Sequence, residues 1–158
     1  MYHVDKIRPY VGFSAIALLA GGLSSVLTQG EMEAFSALRQ PPLSPPGWVF
    51  PVAWSVLYLL MGIGMALVWQ QSAGVERRRA VTIWGVQLAV NFLWPLLFFV
   101  WKARLLSFFW LVLLLVLVGN MISEFEKHSQ TAAKLQIPYL LWLIFAGYLN
   151  LGVYFLNR

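Results

Sequence analysis

The polar side chains with the most regular spacing in this sequence are two amides inside an apolar stretch. Gln87 and Asn91 are four residues apart, so on a helix they would lie on one face. Trp84 and Trp94 stand three residues outside the two amides and extend the same stripe. Such a face offers hydrogen-bonding groups between flat rings.

Two further apolar stretches carry aromatic stripes with the same helical period. Their members are Trp54, Tyr58, Met61 and Met65 in one stretch, and Tyr139, Trp142, Ala146, Leu149 and Asn150 in the other. Three such faces would suit a large, flat, mostly apolar ligand with a polar edge. We therefore predict a ligand-binding site on these faces. Its candidate residues are Trp54, Tyr58, Gln87, Asn91, Trp94, Trp142, Ala146, Leu149 and Asn150.

A purely structural role for the same residues stays open. Asn and Gln in membrane helices often hydrogen-bond a neighbouring helix, for roughly 0.6–2 kcal/mol, and Met often fills cores. Trp near helix ends usually anchors at the membrane interface. The interface explanation suits Trp48, Trp69, Trp84 and Trp101. It suits Trp54, Trp94 and Trp142 less well, because they lie farther inside their stretches.

Groups needed for ordinary enzyme chemistry are absent from the apolar stretches of the sequence. The six acidic residues lie outside the apolar parts, with Glu124 and Glu126 near a surface, and the chain has no cysteine. His3 and His128 lie in polar flanks. This pattern disfavours acid–base catalysis, a Ser–His–Asp arrangement, a proton relay and a metal centre. We expect no metal and no cofactor.

The composition indicates that lipid surrounds the elements that position these residues. The chain is 60% hydrophobic and 11% charged, whereas soluble domains carry about 25% charged residues. Five apolar segments are each close to the ~20 residues that cross a bilayer, and backbone groups in lipid must pair within a helix. We predict an all-α integral membrane bundle of five transmembrane helices, forming one domain over 1–158. The predicted helices span about 9–28, 48–69, 80–101, 105–122 and 137–156.

The connections between these segments predict how the chain lies in the membrane. The first connection, 29–47, holds two Pro-Pro pairs at 41–42 and 45–46, so we expect it to be stiff and non-helical. Seven Lys and Arg residues fall on the side of the N-terminus and four on the other side. The positive-inside rule then places the N-terminus in the cytoplasm and the proline-rich loop outside a cell membrane.

The basic balance of the chain does not indicate nucleic-acid binding. The net charge is +5, but the cations form short clusters between apolar runs and make no basic stripe on a polar face.

Gly85 and Ala89 could form a dimer face or serve packing within the chain. The stretch 151–158 fits a proposed sterol-binding pattern, which is weak, and Tyr154 and Arg158 are equally explained as interfacial anchors.

Three runs of sequence resemble signatures of the TspO/MBR family, the tryptophan-rich sensory and translocator proteins. PPGWVFPVAWSVLYLLMGIGMALVW starts at Pro45 and resembles the signature of the first loop and second helix. GVQLAVNFLWPLLFF starts at Gly85 and resembles the third-helix signature. PYLLWLIFAGYLN starts at Pro138 and resembles the fifth-helix signature. The three runs occur in the same order as in the family. Together with the five predicted helices, they extend the resemblance over the whole chain.

The resemblance implies a ligand cavity that the first loop closes on one side. It implies binding of protoporphyrin IX or other tetrapyrroles, with haem and sterol-like molecules as further candidates, in tetrapyrrole regulation or a stress response. Each candidate residue named above except Tyr58 matches a family position that lines or borders the cavity. The resemblance also implies a homodimer, and retention of the first segment, which otherwise imitates a signal peptide.

Departures from the family pattern leave alternatives open. Leu43, Ala34 and Phe35 stand in the first loop where many members carry Trp or a Trp-Tyr pair. These three departures put in question whether the first loop makes tight contacts with a porphyrin. One alternative is light-dependent porphyrin breakdown, with Trp54 and Trp142 as redox-active residues. Others are a transporter of porphyrin or sterol-like molecules, and a regulatory subunit that works through a protein partner.

Overall fold

Five long helices form the fold, with two short helices in the connections. The computed structural model describes residues 2–158, and within this range the regular structure is helical. The α-helices are α1 (Tyr2–Thr28), α2 (Met32–Ser36), α3 (Val49–Gln71), α4 (Gly74–Pro95), α5 (Arg104–Glu126), α6 (Gln130–Leu135) and α7 (Ile137–Leu156). Each of α1, α3, α4, α5 and α7 belongs to a stretch long and apolar enough to cross a membrane. The predicted five-helix membrane fold is therefore confirmed.

Several helices extend beyond the bounds expected from hydropathy. α1 begins at Tyr2 instead of about residue 9, and α4 begins at Gly74 instead of about residue 80. Hydropathy marks the hydrocarbon layer, whereas backbone hydrogen bonds continue into the polar flanks. The first connection, 29–47, was expected to be non-helical, but it contains α2, because its prolines begin only at Pro41. The connection predicted after α5 contains α6, which starts where the Ser129 side chain accepts a hydrogen bond from the Ala132 N–H at 3.1 Å.

A turn of π-helix follows α4. Pro95 has no N–H to donate to the preceding turn, and the helix continues over Leu96–Val100 with a wider winding. The Trp101 N–H donates to the Leu96 carbonyl at 2.9 Å and closes this turn. This turn carries Phe98 and Phe99, which contact Phe35 of the first connection.

The junction between α3 and α7 is formed by side chains. α1 packs on α3 and α4, while α5 packs on α4 and α7. α3 and α7 make little close backbone contact with each other. The space between them is therefore filled by the side chains that the two helices direct toward each other.

Small residues allow the closest helix contact in the bundle. Gly62 on α3 lies against the backbone of Ser14 on α1, and Gly21 on α1 lies against the Tyr58 ring. Without hydrophobic attraction between helices in lipid, such close approach supplies much of the association energy. Met61 and Met65 lie fully buried in the same core.

Gly62→Ala should weaken this contact. A Cβ at position 62 would overlap the Ser14 backbone, which cannot rotate away as a side chain can. We expect the free energy of unfolding in detergent to fall by about 1–3 kcal/mol, the usual cost of overpacking. The measurement is unfolding followed by circular dichroism, with Gly119→Ala as control, because a Cβ at position 119 meets nothing within 4 Å. Equal stability of the two variants would contradict the proposed contact.

Ion pairs are present at both ends of the bundle. On one side, Arg79 and Lys127 pair with Glu124 at 3.3 and 2.9 Å. On the other side, the Lys102 ammonium lies 3.4 Å from Glu31 of the first connection. Glu124 lies near a surface as predicted, yet its side chain is buried, because these cations and the neighbouring helix ends cover it.

Candidate ligand-binding site between helices α3, α4 and α7

A chain of hydrogen bonds links three helices at the centre of the bundle. The Tyr58 hydroxyl on α3 donates to the Asn91 carbonyl oxygen on α4 at 2.7 Å. The Asn91 amide donates to the Tyr139 hydroxyl on α7 at 2.6 Å, and that hydroxyl donates to the Gln87 carbonyl oxygen at 2.9 Å. Gln87 and Tyr139 are fully buried. We call these four residues the polar network.

The four-residue spacing of the two amides explains how the network forms. Gln87 and Asn91 lie one above the other on α4, so a single hydroxyl from α7 reaches both. The amide of Gln87 makes its second contact with the Met61 sulfur at 3.7 Å. The network therefore holds α3, α4 and α7 together, as the structural explanation anticipated. A ligand that bonds to these amides must therefore use a second N–H or lone pair, or displace an internal hydrogen bond.

Aromatic rings fill the junction between α3 and α7 next to the network. The Trp54 ring lies 5.7 Å from Tyr58, 6.3 Å from Tyr139 and 6.4 Å from Trp142, measured between ring centroids. Phe50 lies 6.0 Å from Trp142. We call Phe50, Trp54 and Trp142 the aromatic wall. Since little backbone contact closes this junction, rotation of these side chains is the local route to a wider opening.

One hydrogen-bond donor in the aromatic wall is unused. The Trp142 indole nitrogen is buried and has no hydrogen-bond partner among the residues that the structure describes. Leaving a buried N–H unpaired costs about 1–3 kcal/mol. A ligand acceptor placed there would recover that cost. The position of this donor makes the wall a better candidate for ligand contact than the satisfied network beside it.

Trp94 and Asn150 lie in a different polar cluster. The Trp94 indole N–H donates to the Asn150 carbonyl oxygen at 3.1 Å, and the Ser107 hydroxyl donates to the same oxygen at 3.0 Å. The Asn150 amide donates to the Arg104 carbonyl at 2.7 Å. Asn150 is eight residues from Trp142 on α7, about 12 Å along the axis. These contacts join α4, α5 and α7 and leave no group of Asn150 free.

The remaining candidates are buried on α7, and one important residue was left out of the predicted set. Ala146 and Leu149 are buried, and Ala146 packs in the same core as Tyr139. Tyr139 lies at the centre of the polar network although it was not among the predicted site residues. Its position three residues before Trp142, on the same helical stripe, was the available signal.

Trp84 does not lie at the membrane interface as the belt explanation expects. It is buried, and its indole N–H donates to the Met61 carbonyl at 3.1 Å, which ties α4 to α3. Trp48 and Trp101 are 69% and 63% exposed and do suit the interface. The Trp84 side chain turns inward because Phe13 of α1 packs against its ring at 5.3 Å.

The proline-rich loop is fastened along the C-terminal half of α7. The Arg39 N–H donates to the Asn157 side chain, whose amide donates back to the Arg39 carbonyl, both at 2.9 Å. The Tyr148 hydroxyl donates to the Pro42 carbonyl at 2.7 Å. A Cβ at position 152 would lie 2.6 Å from the Pro41 ring, so the glycine at that position admits the ring. The loop thus follows α7 for about two turns.

The loop residues that depart from the family pattern have defined places. Phe35 packs against Phe98 and Phe99, with ring centroids 5.6 and 5.1 Å apart. Leu43 is 83% exposed and has a positive φ of 68°. Phe35 therefore secures the loop to the π-helical turn after α4, and within the described residues it makes no ring contact with the aromatic wall.

Comparison with known proteins agrees with this architecture. A profile of the TspO/MBR family matches residues 13–156. The translocator protein of Bos taurus is 36% identical over 149 residues, which cover 90% of this chain and 86% of that protein. The tryptophan-rich protein TspO of Archaeoglobus fulgidus is 34% identical over 91% of this chain and 94% of its own length. Protein CrtK of Rhodobacter capsulatus is 36% identical over 87% and 86%. A match over nearly the whole chain, on five membrane-spanning helices, places this protein in the TspO/MBR family.

Proposed function

We propose that this protein binds a tetrapyrrole, with protoporphyrin IX as the first candidate and haem as the second. Family membership supports a membrane protein with a binding or transport role. The observation that carries the finer proposal is the unused Trp142 indole N–H within the aromatic wall. Flat rings suit a macrocycle, and the N–H suits an acceptor at its polar edge. The role we propose is tetrapyrrole regulation or a stress response.

The polar network supports the proposal as the inner boundary of the site. Trp54 contacts both tyrosines of the network and Trp142, so a ligand that enters between α3 and α7 meets the rings first. The hydroxyl of Tyr58 or Tyr139 could then exchange a partner for a ligand acceptor. Trp94 and Asn150 contribute by holding α4, α5 and α7 in place.

Trp142→Phe is the test of this site. The substitution keeps an aromatic ring and removes the indole N–H, so we expect the Kd for protoporphyrin IX to rise about fivefold, the equivalent of one hydrogen bond near 1 kcal/mol. Binding is measured in the dark from the porphyrin absorption band of purified protein in detergent. Trp101→Phe is the matched control, since Trp101 is exposed at the end of the π-helical turn after α4. An unchanged Kd for Trp142→Phe would contradict this placement.

Light-dependent porphyrin breakdown is a second candidate function. It is favoured by the two tryptophan rings of the wall, whose centroids lie 6.4 Å apart and which would both border the same ligand. Illumination of the bound complex should then consume porphyrin with turnover, and Trp54→Phe should slow the loss. Porphyrin loss at the same rate in both proteins would exclude a role for Trp54. Passive transport is distinguished by porphyrin flux into protein-containing liposomes.

We infer that the protein lies in a cell membrane with its N-terminus in the cytoplasm. The chain has no cysteine, so single cysteines report on sidedness without background. Ser44→Cys lies in the proline-rich loop and should react with a membrane-impermeant maleimide applied to intact cells. Arg78→Cys lies at an exposed position near the start of α4, at the opposite end of the bundle, and should react after lysis only. The reverse pattern would invert the orientation.

A further inference from the structure

A cationic cleft opens at the start of α5, on the side of the bundle that carries the proline-rich loop. It has a volume of about 330 Å³ and is bordered by Lys102, Arg104 and Arg158. No carboxylate is among its lining side chains in the part of the chain that the structure describes. The cleft is therefore complementary to an anion at the membrane surface.

The three cations differ in how far they are already paired. The Lys102 ammonium lies 3.4 Å from Glu31, which balances part of its charge. The Arg158 guanidinium lies over the Phe155 ring at 5.0 Å from its centroid. The Arg104 Nε is buried and has no hydrogen-bond partner within residues 2–158. Two guanidinium groups thus remain for a ligand, and guanidinium forks match phosphate oxygens.

The local backbone favours the same kind of ligand. α5 begins after Ala103, whose methyl side chain cannot accept from the N–H groups of the first turn. Such N–H groups carry a partial positive charge and attract phosphate oxygens. Tyr154 of α7 adds a hydroxyl at the border of the cleft.

The apolar part of the cleft indicates that the anion is attached to a lipid. Leu105 and Leu106 border the cleft and are 40% and 54% exposed. They follow Arg104 in the first turn of the transmembrane helix α5 and border the same cleft, where an acyl chain would continue from a headgroup phosphate. A free phosphate ion would leave this apolar surface unused.

The cleft is separate from the proposed tetrapyrrole site. Tyr154 is twelve residues from Trp142 on α7, which corresponds to about 18 Å along the helix axis. The cluster of Trp94, Asn150 and Ser107 lies between the two regions and is internally satisfied. We propose that this cleft binds the headgroup phosphate of an anionic phospholipid, held by Arg104, Arg158 and Lys102, with the acyl chain along Leu105 and Leu106.

Native mass spectrometry of the detergent-solubilised protein tests the proposal. Titration with dioleoylphosphatidylglycerol should give a first binding event at least about tenfold tighter than with dioleoylphosphatidylcholine. Arg104→Gln/Arg158→Gln should remove this preference, since each cation near a lipid anion contributes several-fold in affinity. Arg78→Gln/Lys134→Gln is the matched control, because it removes two exposed charges from the opposite side of the bundle.

Other arms of the experiment separate folding effects and free anions from lipid binding. Lys102→Gln/Arg158→Gln changes two exposed side chains and should weaken the lipid preference even if Arg104→Gln disturbs folding. Inorganic phosphate at millimolar concentration should leave the bound lipid in place. Equal affinity for the two lipids, an equal loss in the control pair, or displacement by inorganic phosphate would each overturn the proposal.

Discussion

Replacing Asn91 with leucine is expected to lower the free energy of unfolding in detergent by about 2–4 kcal/mol. Asn91 accepts from the Tyr58 hydroxyl at 2.7 Å and donates to the Tyr139 hydroxyl at 2.6 Å. Leucine has a similar volume and leaves both buried hydroxyls short of a partner, and each buried unsatisfied group costs about 1–3 kcal/mol. Because Tyr58, Asn91 and Tyr139 lie on three different helices, the lost hydrogen bonds would weaken the association of α3, α4 and α7.

Asn120→Leu is the matched control for this prediction. Asn120 is exposed on α5 and makes no side-chain hydrogen bond among the residues that the structure describes, so its replacement should change stability little. Both variants are followed by thermal unfolding and by the dark porphyrin titration. Equal stability of the two variants would refute the role of the polar network in holding the helices. A destabilised Asn91→Leu that binds porphyrin as the wild type does would show that the network is structural and lies outside the ligand site.

Gly152→Ala is expected to release the proline-rich loop from α7. The added methyl group would lie 2.6 Å from the Pro41 ring, which is rigid and tied to the backbone, so the loop must move. We expect trypsin to cleave after Arg39 at least about tenfold faster, because cleavage at this site requires local opening. In the docked loop, Asn157 engages both backbone groups of Arg39.

The measurement for the loop is the rate at which the fragment ending at Arg39 appears during limited proteolysis. Gly147→Ala is the control on the same helix, since a Cβ at position 147 meets nothing closer than Phe108 at 3.8 Å. Asn157→Ala should also accelerate cleavage, by removing the two backbone hydrogen bonds of Arg39. If Gly152→Ala and Gly147→Ala are cleaved at the same rate, the contact between Pro41 and α7 does not hold the loop.

A fastened loop also bears on ligand access. Phe35 contacts Phe98 and Phe99 at one end of the connection, and Asn157 binds Arg39 farther along it. The stiff proline pairs follow Arg39 at 41–42 and 45–46, and Tyr148 and Gly152 hold the first pair. The path of the loop therefore depends on these few contacts. Comparing porphyrin association rates in wild type and Gly152→Ala will show whether release of the loop changes entry between α3 and α7.

Local patterns in the sequence predicted a membrane-spanning protein, the number of its helices and the stripe on each helix. Hydropathy over about 20 residues is a local property, because any segment long and apolar enough to cross the bilayer must form a helix there. The spacing of Gln87 and Asn91, or of Tyr139 and Trp142, likewise follows from 3.6 residues per turn. The resemblance to the family was carried by the same local runs.

Which stripes meet depends on how the helices pack against one another. The rotation of each helix about its axis depends on close packing with its neighbours, such as Gly62 against Ser14, and lipid-facing hydropathy does not encode it. That rotation brought Tyr139 between Gln87 and Asn91 and set Trp94 and Asn150 in a separate cluster. The docking of Pro41 on Gly152 joins residues over a hundred positions apart, so no local pattern could predict it.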